Sequence, residues 1–173
     1  GTDVRQEGFS LQYINMTAVF SPTAAIVEAM QEIGRMGRKA EQNFRLSMDA
    51  FFDGDQSKID QVYQTEKYID YLSHEITDYL VDVNQRQLPV ADSLKIGVLF
   101  HVVNDIERIG DHAENIADAA VRMKEQNLSF TKKATREIQD MFERDMCILT
   151  CALEMFENED HSHMQMILGI EEE

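Results

Sequence analysis

Proline and glycine are scarce in this chain, two and eight among 173 residues. So little turn-forming material argues against many short elements and favours long uninterrupted helices. Basic residues are outnumbered two to one, 16 Lys and Arg against 32 Asp and Glu, for a formal net charge of −16. Such a surface repels nucleic acid, free phosphate and anionic lipid headgroups, so direct electrostatic binding to any of them is excluded as a working function. Cations are the natural counterpart. No apolar run approaches the roughly eighteen residues of a membrane span, and no charged segment followed by an apolar one opens the chain as in a signal peptide. The piece is therefore expected to be soluble. Cysteine is limited to Cys147 and Cys151, four apart in a helical pattern. Buried packing is the expectation for them, and two cysteines without a wider framework suggest a reducing compartment.

At this length one domain has a real core, burying roughly 70% of the surface its unfolded form exposes. Residues 1–20 carry turn formers and no sustained period, and read as an extended lead-in with Leu11, Tyr13, Ile14, Val19 and Phe20 available for packing. Ser21-Pro22 supplies an N-cap followed by proline at the first helical position. From there Ile26, Met30, Ile33, Gly37, Ala40, Phe44 and Phe51 alternate by four and three until Asp53-Gly54-Asp55 ends the helix. A second helix is expected from about Gln56 to Arg86, with Ile59, Val62, Ile69, Leu72, Ile76 and Leu80 inward, broken by Gln87-Leu88-Pro89. Asp92 or Ser93 opens the third, from about Ser93 to Gln126. A fourth is expected from about Thr131 to Glu157, with Ala134, Ile138, Met141, Ile148, Ala152 and Met155 inward. After Asn158-Glu159-Asp160, the apolar segment Met164 to Ile170 starts a short fifth. Helices of about thirty residues each span about 45 Å, and short connections make neighbours antiparallel. The expected fold is all-α: an antiparallel three-helix bundle over 21–128, then a fourth long helix and a short fifth over 129–173.

The most informative stretch is N-D-I-E-R-I-G-D-H-A-E-N-I, Asn104 to Ile116. At about 100° per residue, Asn104, Glu107, Asp111, Asn115 and Asp118 share one polar sector, opposite Val102, Ile106, Ile109, Ala113, Ile116, Ala117 and Ala120. Glu107 and Asp111 sit about 6 Å apart along the axis and about 40° around it, a like-charge pairing that a cation or a proton relieves. Glu66 and Asp70 repeat the spacing at the edge of their own helix's stripe. Carboxylate and amide oxygens without imidazole or thiolate favour hard cations such as Mg²⁺, Ca²⁺, Mn²⁺ or iron over copper or zinc. Di-iron bundles of the oxygen-activating kind use Glu-x-x-His, which this sequence lacks. Asn104 and Asn115 can ligate through their carbonyls or hydrogen-bond to neighbouring helices. Arg108 is expected to pair with an acidic neighbour and His112 to lie at the surface. Gly110 in mid-helix costs about 1 kcal/mol relative to alanine, which points to close helix approach on its side. The bland alternative is a solvated acidic face; the two carboxylate pairs become a site only if packing brings them together.

An ungapped offset of 105 residues superposes the first helix on the fourth: Glu32 meets Glu137, Ile33 meets Ile138, Met36 meets Met141, Phe51 meets Phe156 and Asp55 meets Asp160. Val62 then meets Ile167 and Glu66 meets Glu171, which makes Glu171 a further candidate ligand. The register suggests a duplication whose second copy stops just after its first carboxylate. Such an incomplete second repeat is expected to leave apolar sides uncovered, to be covered by the first bundle or by another copy in a homo-oligomer.

These residues resemble the PhoU family, built from repeated three-helix bundles with E/D-x-x-x-D motifs on successive helices. Glu66 to Asp70 and Glu107 to Asp111 match those motifs, and E-R-I-G-D-H-A-E-N-I-A from Glu107 to Ala117 is the specific part. The lead-in L-Q-Y-I-N…S-P-T-A-A-I and the E-I-G-R-M-G stretch from Glu32 to Gly37 are similar to the cytoplasmic C-terminal PhoU domain of bacterial sodium/phosphate cotransporters. The resemblance spans about Leu11 to Phe156. It departs from a full member in lacking most of the second bundle's helices.

The resemblance implies a cytoplasmic regulatory domain of phosphate transport at the inner face of the cell membrane. Metal, iron or another hard cation, is implied on the carboxylate face at Glu66, Asp70, Glu107 and Asp111. Its partner is either a transporter domain of the same chain or, for a standalone PhoU regulator, a phosphate transporter or sensor complex. Phosphate itself could be reached through bound metal. An enzyme would need a general acid or base beside an open coordination position, and no histidine, lysine or tyrosine is placed for that. The remaining alternative is a helical interaction scaffold without a ligand.

Overall fold

A computed structural model describes residues 8–14 and 21–168, with side chains as far as residue 159. Val19, Phe20 and Glu171 lie outside the described residues. Four helices are present among those described: α1 (Pro22–Asp53), α2 (Gln56–Asn84), α3 (Val90–Glu125) and α4 (Lys132–Leu168). Ser21 and Pro22 hold the N-cap and first helical positions of α1 as expected, but the Ser21 hydroxyl makes no capping hydrogen bond. Gly54 ends that helix in the left-handed region, at φ 64°, and its N–H donates to Ala50 O. One residue later Asp55 caps α2, accepting from the Ser57 N–H.

The third helix starts earlier than expected. Pro89 occupies the cap position, so α3 begins at Val90 rather than at Ser93. Proline lacks an N–H that the first turn would leave unsatisfied anyway, and Asp92 then sits within that turn, where the helix dipole favours it.

Helices α1, α2 and α3 each pack against the other two. Side-chain pairs run in opposite order along neighbours, Tyr79 to Glu28 and Val62 to Asn43 for α2 on α1, Ser73 to Glu107 and Tyr63 to Asp118 for α3 on α2, so both pairs are antiparallel. Every residue expected inward on α2 is buried, together with Tyr79 and Val83. On α3 the buried line is Leu99, Val103, Ile106, Gly110, Ala113, Ala117 and Ala120, while Val102, Ile109 and Ile116 are only partly covered. The apolar cluster splits into two, one around Ile26, Met30 and Ile33, the other around Phe44, Ala113 and Ala117.

Three expectations for the fourth helix fail. First, α4 continues without a break through Asn158-Glu159-Asp160, so no separate fifth helix follows among the described residues. The offset that aligns α1 with α4 explains why: Glu159 stands where α1 has Gly54, and nothing in that position takes up a positive φ cheaply. Second, the buried side of α4 is Phe142, Met146, Leu149 and Leu153, not Met141, Ile148 and Met155, which are exposed, the last two at 70% and 74%. Both stripes are apolar at helical spacing, and packing on α1 selected the one whose side chains interlock with it. Leu153 fills the gap opened by Gly37, while Phe142 meets the Phe44 and Phe51 rings edge-on. Cys147 and Cys151 lie on the outer side and are exposed free thiols, contrary to the buried packing expected of them. Ala134 and Ile138 are half-buried and Ala152 is exposed. Arg38 grips Glu157 through two charge-assisted bonds of 2.6 and 2.5 Å, fixing α4 along α1.

Leu153→Ala is expected to cost about 2–4 kcal/mol in urea unfolding, whereas Ile148→Ala costs about 0.5 kcal/mol or less. The reverse order would place the Ile148 side of α4 inward.

Candidate metal centre

The acidic sector of α3 faces α2. Gly110 lies on the buried line of α3, and a β-carbon there would stand 2.6 Å from Glu66 Oε2 and 3.2 Å from Oε1. The missing side chain is therefore the recess into which the Glu66 carboxylate inserts, which accounts for a glycine in the middle of a long helix. Glu66 belongs to the buried face of α2 rather than to its edge as expected, and is only 4% exposed. Both of its oxygens are buried without a hydrogen-bond donor. Its neighbours are acids: oxygens of Glu66, Asp111 and Glu114 all lie within 4.8 Å of one another.

Asp70, one turn further along α2, feels the charges of Glu107 and Asp111. The two E-x-x-x-D pairs thus converge across the α2–α3 interface. Ser73 donates to Glu107 Oε2 at 3.1 Å, and Tyr63 donates to Asp118 Oδ1 at 2.6 Å, so a hydroxyl from α2 orients a carboxylate at each end of the row. Glu114 was not singled out from sequence. The signal was present, because Glu107, Asp111, Glu114 and Asp118 follow a four-three-four spacing that keeps all four on one stripe. Asn115 points elsewhere: with His112, Ile116 and Met141 it lines a cavity of about 530 Å³ between α3 and α4. Asn104 is exposed, as are His112 and Arg108, the latter beside Asp105 at 3.6 Å.

Burial, then the charges of Asp70, Asp111 and Glu114, push the Glu66 carboxyl up from an ordinary 4.5 to about 8. Asp70 is raised by burial and by Glu107 and Asp111, with Glu66 and then His74 pulling the other way, and Glu114 by burial and by Asp118, Asp70 and Asp111. A proton shared between Glu66 and Asp111 is one way to relieve the crowding; a cation is the other. The donors suit a hard cation. They are all carboxylate oxygens, one carboxylate being orphaned and buried, and the recess at Gly110 leaves the Glu66 head free to turn toward its neighbours.

The PhoU domain family matches residues 33–120, just over half of the chain and the span of α1, α2 and α3 that builds this cluster. The chain belongs to the PhoU family. Among relatives, the phosphate-specific transport system accessory protein PhoU homolog of Synechocystis sp. is 31% identical over 100 residues, 57% of this chain and 45% of that protein. The homolog of Clostridium acetobutylicum is 33% identical over 98 residues, 56% of this chain and 45% of its own length. PhoU homolog 1 of Thermotoga maritima is 30% identical over 101 residues, 58% and 43% of the two chains. The PhoU chain described here thus spans about half the length of the curated relatives it matches. No solved structure matches it significantly. No helix among the described residues is long and apolar enough to cross a membrane.

Raised proton affinity in the fold fixes the sign of a pH effect. Between 4.5 and about 8 the folded PhoU domain holds a proton on Glu66 that the unfolded chain has released. The contribution of this group is therefore fully present below 4.5 and is lost as pH rises through about 8. Cation-free protein should resist urea better at about pH 5.5 than at about pH 8.5, by on the order of a few kcal/mol, and Glu66→Gln should flatten that slope. A Glu66→Gln variant with the parent's slope would show that Glu66 is not the titrating group.

Proposed function

We propose that this PhoU domain is a cation-loaded regulator of phosphate transport, acting as an accessory to a phosphate transport system. The observation that carries the reading is the buried Glu66 carboxylate, without a donor and ringed by Asp70, Asp111 and Glu114. An anion buried without a partner costs several kcal/mol, so the site asks for positive charge. Glu66, Asp111 and Glu114 would hold one hard cation, Mg²⁺, Mn²⁺, Ca²⁺ or iron, with Asp70 and Glu107 at the outer end of the same row. When bound, such a cation offers phosphate a bridge across a surface of net charge −16 that otherwise repels it.

The relatives' names, accessory proteins of a phosphate-specific transport system, support a separate regulator working with a phosphate transport system. The resemblance of the lead-in to that of sodium/phosphate cotransporters supports the second form, a domain appended to the transporter itself. Coding sequence upstream of residue 1 discriminates between them, since a run of hydrophobic spans there means an appended domain and a start codon means a free regulator.

Protein purified without chelator is expected to contain metal, and Glu66→Gln with Asp111→Asn to contain little. Chelation should lower the parent's melting temperature, because ligand at about 100 times its Kd stabilises by about 2.7 kcal/mol. Gly110→Ala gains up to about 1 kcal/mol of helix propensity yet pushes the Glu66 carboxylate aside, so in chelator it should match the parent's melting temperature, while added cation stabilises it less than the parent. Inorganic phosphate should be retained only by the loaded form. Equal trace metal in parent and double variant would remove the site. Self-association through the exposed Met141, Ile148 and Met155 stripe belongs to the same reading. It should appear as a sedimentation coefficient that rises with concentration and stops rising in Ile148→Glu.

A further inference from the structure

The segment before α1 is held by a built clamp. Glu32 is wholly buried in the middle of α1, and its Oε1 accepts the backbone N–H groups of Gln12 at 2.7 Å and Tyr13 at 3.3 Å. Arg35 holds the other oxygen of Glu32 at 2.8 Å and donates to Ser10 O at 2.6 Å and to the Tyr68 hydroxyl at 3.3 Å. That hydroxyl accepts the Ser10 N–H at 3.3 Å and donates to Ser10 O at 3.0 Å. One donor and two acceptor positions exhaust what a phenol can do. Phe9 packs on the Tyr68 and Tyr71 rings at 4.5 and 5.8 Å between centroids, and Ile14 enters the core. Residues 9–14 thus straddle two helices, tied to α1 by Glu32 and Arg35 and to α2 by Tyr68.

Tyr68 lies between Glu66 and Asp70. At about 100° per residue it projects about 160° away from both, so a single stretch of α2 carries the cluster on one side and the clamp on the other. With neither a proton nor a cation among them, the carboxylates of Glu66, Asp111 and Glu114, whose oxygens lie within 4.8 Å of one another, repel, and that repulsion acts on the stretch of α2 seated against Gly110. Tyr68 is part of the same rigid stretch, whereas Glu32 and Arg35 stay with α1. Any shift of α2 against α1 therefore acts on the bonds at Ser10.

We propose that residues 9–14 form a strap that reports occupancy of the carboxylate cluster through Tyr68, being fastened when a cation holds α2 against α3 and loosened when the cluster is empty. The inference rests on the cation reading above and adds its output, a change in the chain segment that leads into the domain. Two linked sites of this kind typically differ by about 5-fold or more in the coupled equilibrium.

Hydrogen exchange read by mass spectrometry on the intact chain at about pH 8.5, where the empty cluster has lost its proton, tests it, with the chelated protein compared with protein given Mn²⁺ or, anaerobically, Fe²⁺. Cation should slow exchange in the peptide covering Ser10 to Tyr13 by about 5-fold or more. That slowing should exceed any in the α4 peptide around Leu149, which reports general stabilisation only. Tyr68→Phe keeps the ring and all the carboxylates, so it should retain metal at the parent's level while losing the extra protection of the strap. Glu32→Gln should leave the strap exchanging fast with or without metal. Metal bound with no extra protection at residues 10–13, or Tyr68→Phe behaving as the parent, overturns the strap and leaves the cation site standing. Neither ion bound by the parent overturns both, and dialysed metal content tells the two failures apart.

Discussion

Glu66 can occupy its place only because Gly110 has no side chain. A carboxylate pressed into the backbone of the facing helix brings α2 and α3 close enough for Asp70, Glu107, Asp111 and Glu114 to share one field. The arrangement is unfavourable as a set of bare anions, since each added charge raises the proton affinity of its neighbours. Its stability depends on something positive, a proton at Glu66 or a cation among the oxygens. The apolar clusters above and below supply the burial that makes the carboxylate's isolation costly. The PhoU bundle and its site are thus one construction: the same interface gives α3 its packing and the acids their proximity.

Helix α1 has a different part in the molecule. It is the element on which everything else is laid, with α2 and α3 on one side, α4 on another, and the strap of residues 9–14 along its middle. Its polar positions are accordingly buried and used. Glu32 takes two backbone amides, Asn43 donates to Val62 O, and Ser47 donates to Phe44 O. A charged residue at a helix's core-facing position is tolerated when its hydrogen bonds are made, and Glu32 has three. Glu66 at the equivalent depth on α2 has none. The contrast separates a buried carboxylate whose hydrogen bonds are made from one whose oxygens have none.

Much of this was legible in the residues. Periodicity placed α1 and α2 to within two residues, and every apolar residue expected inward on α2 is buried, but Glu66 joins that face rather than its edge. The carboxylate pairs were visible as E-x-x-x-D, and Gly110 as a mid-helix glycine that called for close approach. Glu114 was overlooked although its spacing from Asp111 puts it on the same stripe. Helix α4 shows where periodicity runs out. Two apolar stripes about 100° apart both satisfy the helical rule, and the one expected inward, through Ile148 and Met155, is the one left exposed. The choice was made by shape on α1, where Gly37 leaves room for Leu153 and the Phe44 and Phe51 rings receive Phe142.

The sequence by itself determined the class of the protein: long helices from the scarcity of proline and glycine, an oxygen-rich acidic face from residue type and spacing, and kinship with PhoU from the run after Glu107. Those are local properties, fixed by bond geometry and by side chains a few positions apart. Only the tertiary structure decided that Glu66 is buried rather than at an edge, that Asn115 turns toward α4, and that α4 runs unbroken past Asn158. Each of those depends on which face meets which neighbour, and rotation of a helix by one residue's angle about its axis alters that while leaving its own periodicity intact.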